Sequence, residues 1–189
     1  MWGVMVLFED IDFKNCKILY YEKNKRNCLS EDLLQIECPN GRIIDVGWYG
    51  TKNGFRVVVI ENLDWEKPCY EIVMPKFEFA EKYLQDFIIY ETTELSSDIT
   101  ILFQQFKDIV EAKDIDRESI SESFSNAYHV LINLQSMGLG ADEVFAYLST
   151  YALQFRNRDE LRWDFICDLL DYVMGFCLPD LRIWDFTPL

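Results

Sequence analysis

RIIDVGWYGTKNGFRVVVIENLDWEKPC, from Arg42 to Cys69, sets two apolar arms around a turn. Ile43, Ile44, Val46 and Trp48 fill the first arm; Phe55, Val57, Val58, Val59 and Ile60 fill the second. Between them lies Tyr49–Gly54, which ends in Asn53-Gly54. Both of those residues tolerate positive φ, so the pair between β-branched runs predicts a hairpin. The second arm is apolar at consecutive positions, as in a strand covered on both faces, which predicts an interior position in the sheet.

Working upstream, Trp2–Phe8, Cys16–Tyr21 and Leu33–Cys38 read as short strands, and Pro39-Asn40-Gly41 marks a tight turn. Downstream, Pro68 has no ladder donor, so Asn62–Pro68 is a loop. Tyr70–Met74 reads as an edge strand. From Pro75 the apolar period becomes helical. Phe77, Ala80, Tyr83, Leu84, Phe87 and Ile88 face one way in a first helix, broken at 91–94. Ser96 or Ser97 caps a second, with Ile99, Leu102, Phe103, Phe106, Ile109 and Val110 inward. A third starts near Ser119, buries Phe124, Ala127, Tyr128, Leu131, Ile132 and Leu134, and ends at Gly138. Asp142 opens a fourth, and a fifth runs from about Asp159 to Phe176. The expected fold is α+β: an N-terminal antiparallel sheet of about five strands over residues 1–74, then about five helices over 75–189, in one domain.

The formal net charge is −15 and is unevenly spread. Residues 1–90 carry 15 acidic and 11 basic side chains, a net of −4. Residues 91–189 carry 18 and 7, a net of −11. An acidic surface repels phosphate backbones and anionic membranes, which disfavours direct nucleic-acid binding, and it speeds encounter with basic proteins. The N-terminus lacks the basic start of a signal peptide, and no apolar run is long enough to span a bilayer. The six cysteines show no CxxC spacing and there is one histidine, so neither a zinc site nor another cofactor is expected. The cysteines read as reduced thiols of a cytoplasmic protein.

The fifth helix is apolar around most of its circumference. Glu160, Asp164, Asp168 and Asp171 break that pattern. At 100° per residue they fall within about 80° of one another. Like charges at this spacing cost helix stability unless something offsets them. A basic partner would do so. A plainly solvated face, paired with Arg158, Arg162 or Arg182, is the commoner explanation, and a carboxylate metal site lacks the Glu-x-x-His pattern. Asp64, Trp65 and Glu66 follow the interior strand, where Trp65 either presents itself to a partner or folds back over the sheet end. Trp48 and Tyr49 fit a cross-strand core pair better than a ligand platform. His129, with Ser125 and Glu122 within two turns, does not amount to a catalytic arrangement, and no phosphate loop or nucleophile elbow is present. No catalytic activity is expected.

IDVGWY (Ile44–Tyr49), FRVVVI (Phe55–Ile60), DWEKP (Asp64–Pro68) and DFICDLLDYVMGFC followed by RIW (Asp164–Cys177 and Arg182–Trp184) together resemble the immunity proteins of bacterial polymorphic-toxin and contact-dependent growth inhibition systems. The resemblance covers the hairpin with its exit and the C-terminal helical end. It implies a cytoplasmic antidote that binds and occludes one cognate toxin domain, and such toxins are often basic nucleases. It carries over no set of functional residues. The residues expected at the interface are Glu160, Asp164, Asp168 and Asp171, then Asp64, Trp65 and Glu66. The other expectation is an acidic binding module, a nucleic-acid mimic or an adaptor for a basic protein.

Overall fold

The computed structural model describes residues 7–22, 29–50, 54–112, 120–178 and 181–184. The α+β order holds. Five strands, β1 (Lys17–Tyr21), β2 (Leu34–Glu37), β3 (Ile43–Trp48), β4 (Phe55–Ile60) and β5 (Tyr70–Met74), precede five helices. The helices are α1 (Phe77–Thr92), α2 (Ser97–Glu111), α3 (Ile120–Ser136), α4 (Ala141–Ala152) and α5 (Glu160–Met174). The chain divides after Thr92 into two compact units.

In the first unit the strands form one antiparallel sheet in the order β1-β2-β3-β4-β5. β4 is flanked on both sides, as its unbroken apolar run predicts. The Asn-Gly turn itself falls partly outside the described residues, but its base closes with Tyr49 N–H donating to the Gly54 carbonyl at 3.0 Å. Trp48 pairs with Phe55 across the hairpin, ring centroids 4.7 Å apart, as a core pair. The expected strand Trp2–Phe8 lies mostly outside the described residues; Leu7 and Phe8 are buried in a turn. Glu81 of α1 accepts the Phe8 N–H, and the Phe8 ring meets Phe77.

α1, grouped with the helical part on sequence period, packs on β3, β4 and β5. Phe77 meets Phe55, and Phe87 stacks on Tyr70, so α1 covers the face that also holds Ile44, Val46, Val57 and Val59. The opposite face carries a smaller cluster of Ile43, Val58 and Ile60. At the end of α1, the Glu91 side chain is 1% exposed. Arg42 reaches it at 3.1 Å and Asn40 donates to it at 2.6 Å, so the turn after β2 is tied to the helix.

Gly47 sits where another chain segment crosses. A Cβ there would lie 1.7 Å from the Glu31 carbonyl oxygen. That segment is pinned to β3 by Trp48 N–H to Ser30 O (2.7 Å) and Leu33 N–H to Val46 O (2.9 Å). A methyl group cannot enter without breaking these bonds. Gly47→Ala is therefore expected to cost about 3 kcal/mol, read from the urea midpoint of the sheet's unfolding. A midpoint unchanged from the parent would mean that the crossing is not held.

In the second unit α2, α3, α4 and α5 enclose a core built on Phe103, Phe106, Leu131, Leu134, Val144, Leu148, Phe165, Ile166 and Leu169. Ser96 caps α2, its hydroxyl accepting the Ile99 N–H. On α3 the buried stripe is Ala127, Val130, Leu131 and Leu134, spaced i, i+3, i+4, i+7; Ile132, expected inward, falls off it and is exposed. α4 starts at Ala141, one residue before the expected Asp142, with Gly140 as its N-cap and Glu143 accepting the Gly140 N–H at 2.9 Å. Residues 181–184 close over α3: Gln135 donates to the Ile183 carbonyl, and Trp184 donates to Leu139 O at 2.9 Å.

Candidate functional site

α5 is positioned by its two ends. Asp159 caps the start, its carboxylate accepting the Arg162 N–H. Gly175, at φ +73°, turns the chain left-handed and stops the helix at Met174, before the expected Phe176. Phe165, Ile166, Leu169, Leu170 and Val173 enter the core. The turn of the helix then fixes where the carboxylates go: Glu160, Asp164, Asp168 and Asp171 are all exposed.

No cation among the described residues makes an ion pair with any of the four. Arg162, one expected partner, is committed elsewhere. It pairs with Asp159 at 2.6 Å and donates to the carbonyls of Val110 (2.8 Å) and Ala112 (2.9 Å), bridging the end of α2 to the start of α5. Burial, and then the charges of Asp171 and Asp164, hold the Asp168 carboxyl above its ordinary value. Burial and the same carboxylates push the Cys167 thiol up. Among the described residues no ion pair neutralises this stripe, which leaves a concentrated negative field there.

An open cleft of about 620 Å³ adjoins its N-terminal end, lined by Arg156, Asn157, Arg158, Glu160, Trp163 and Asp164. The Arg156 guanidinium lies over the Trp163 ring, 5.9 Å from its centroid. The carboxylates do not converge: among the described residues no group of three or more His, Cys, Asp or Glu is placed to hold a metal ion.

The second expected set belongs to the first unit. Asp64, Trp65 and Glu66 are exposed, Trp65 at 46% and its neighbour Leu63 at 68%. Trp65 is not buried over the sheet end. The Asp64 carboxylate accepts the N–H groups of Glu66 and Lys67, both at 3.2 Å, which shapes the loop.

No family model, no curated protein and no solved structure matches this chain.

His129 is exposed, with the neighbouring Tyr128 ring 6.4 Å from its own. No helix among the described residues is long and apolar enough to cross a membrane. Sequence reasoning missed Asp45, a buried carboxylate (4% exposed) on the sheet face away from α1. The signal was there as one acid inside an apolar strand. Burial pushes its pKa up to about 6, against the hydrogen bond that Gln35 donates at 3.3 Å. The unfolded value is about 4, so the folded chain holds an extra proton between about pH 4 and 6. Asp45 therefore contributes less stability as pH rises through that window, and its deficit is full above it. Asp45→Asn keeps the acceptor for Gln35 and removes the charge. It is expected to stabilise the first unit at pH 7 by up to about 3 kcal/mol and by little at pH 4. Parallel pH profiles of the two proteins would refute this.

Proposed function

We propose that this chain is a cytoplasmic immunity protein, a non-enzymatic inhibitor that binds one basic toxin domain and occludes its active site. The observation carrying this reading is the unneutralised, exposed row of Glu160, Asp164, Asp168 and Asp171 on a helix whose other faces are packed. Four like charges on one helix face oppose the helix, and a cationic partner removes that cost on binding. The whole second unit, residues 93–189, carries 17 acidic and 7 basic side chains, so its field steers such a partner from a distance. The Asp64–Glu66 loop offers an exposed aromatic anchor of the kind that dominates interface energies. The resemblance of the hairpin and the C-terminal end to immunity proteins supports the same reading.

The test is capture of the tagged protein from lysate of its own producing cell, washed at low and then high salt. The expected result is one stoichiometric basic protein that survives the high-salt wash and kills cells lacking this chain. A set of weak partners lost at high salt would replace the immunity reading with an adaptor or mimic. A tight partner that is harmless when expressed alone would remove the antidote role.

A further inference from the structure

We propose that Cys16 and Cys38 form a reversible intramolecular disulfide, Cys16 meeting the oxidant and Cys38 closing the bond. The inference does not depend on the proposed function. Continuing the β1–β2 register, Lys17 opposite Glu37 and Ile18 opposite Ile36, places Cys16 opposite Cys38. Their sulfurs are 3.4 Å apart, in hydrogen-bond contact. Directly opposed residues of an antiparallel pair have the Cα separation that a disulfide needs.

Both backbones are held. Cys16 N–H donates to Phe13 O at 3.0 Å, Cys38 N–H to Arg42 O at 2.8 Å, and Gly41 N–H to Cys38 O at 2.9 Å. The tie from Arg42 and Asn40 to Glu91 anchors that turn further. Each thiol therefore faces the other throughout, and closing the bond needs no chain rearrangement. The pair is also asymmetric. Cys16 is half-buried, whereas Cys38 is buried. The hydrogen bond shared with Cys38 holds the Cys16 thiol below its ordinary pKa, while the same bond and burial push Cys38 up. The thiolate is thus favoured on the sulfur that a reagent can reach. Of the other described cysteines, Cys69 and Cys167 are pushed up by burial, and neither they nor Cys177 have a second sulfur in contact.

With a hydroperoxide as oxidant, the Cys16 thiolate attacks the terminal oxygen. An S–O bond forms, the O–O bond breaks, and the alcohol, or water from hydrogen peroxide, leaves with a solvent proton. Cys38 gives its proton to water and attacks the Cys16 sulfur. The S–S bond forms and water leaves. Two thiols and one peroxide yield one disulfide, one alcohol and one water. A small thiol restores both cysteines in two steps: its sulfur attacks the accessible Cys16 sulfur and releases Cys38, then a second equivalent frees Cys16 and leaves as the small thiol's own disulfide. The product clips the edge strand β1 to β2 at the end of a ladder that slips register between Ile18 and Tyr20.

The experiment is a peroxide titration of the folded, full-length chain carrying Cys28→Ser, followed by alkylation, trypsin and mass spectrometry. The Cys28 change is needed because Cys28 and Cys38 share the tryptic peptide 27–42. The expected result is joint loss of Cys16 and Cys38 thiols before Cys69, and a linked peptide joining 15–17 to 27–42 that dithiothreitol dissolves. The unfolding temperature should rise by several degrees with oxidation. In Cys38→Ala that rise should vanish, and Cys16 should instead be trapped as its sulfenic acid by dimedone. Cys16 and Cys38 still alkylatable when Cys69 is consumed, or Cys16 linked to another cysteine, would overturn the proposal.

Discussion

Replacing Glu160, Asp164, Asp168 and Asp171 together by lysine is expected to slow association with the captured basic partner about 10- to 1,000-fold at low ionic strength. The effect should shrink as salt rises, because exposed charges more than a Debye length apart are screened. All four carboxylates are exposed, and Arg162 is committed to Asp159, Val110 and Ala112. No cation among the described residues forms an ion pair with the row, so its field is open to a partner. Dissociation should change less than association, since steering acts on the approach. The neutral set of Gln and Asn substitutions should fall between the parent and the lysine set. An association rate that ignores both sets would take α5 out of the interface, whatever the partner proves to be.

The second large effect concerns stability. Arg42→Met should destabilise the first unit by about 3–5 kcal/mol, measured by urea unfolding of the sheet. The Glu91 carboxylate is 1% exposed and has Arg42 as its cation, at 3.1 Å. Removing that cation strands a charge away from water, with Asn40 as its remaining donor among the described residues. The damage is conditional on the charge: Arg42→Met with Glu91→Leu should recover most of the loss, since an apolar pair of similar volume replaces a buried ion pair at little cost. If the double variant were as unstable as the single one, the packing of the Arg42 stem, and not its charge, would be what holds the turn against α1.

What could be read from sequence was whatever the local period and turn chemistry determine. The run Val57–Ile60 announced an interior strand because nothing but burial on both faces explains it. The carboxylates of α5 announced a shared face because helical geometry alone places them together. Whether that face was covered depends on neighbours that no spacing reveals. Apolarity alone groups Ile132 with the inward residues, yet Ala127, Val130, Leu131 and Leu134 define the stripe and leave it outside. α1 was grouped with the other helices because period says helix and is silent about what the helix packs on. Asp45 carries no local signal of burial; it is enclosed by strand pairing, with Gln35 opposite it on β2 and Val58 opposite it on β4. Cys16 and Cys38 lack any spacing signature, because strand pairing and not sequence distance brings them together.

The sheet order has a kinetic consequence. Among the described residues every strand pairs with its neighbours in the chain, so none of these pairings has to wait for a distant segment. Loop closure is then short at each step, and the ladder can zip one hairpin at a time, starting at the hairpin of β3 and β4. Hairpins form in about microseconds, so the slower step is the docking of α1 onto β3, β4 and β5. Since α1 follows β5 directly, the first unit can complete itself as soon as Thr92 has left the ribosome, before the second half of the chain is made.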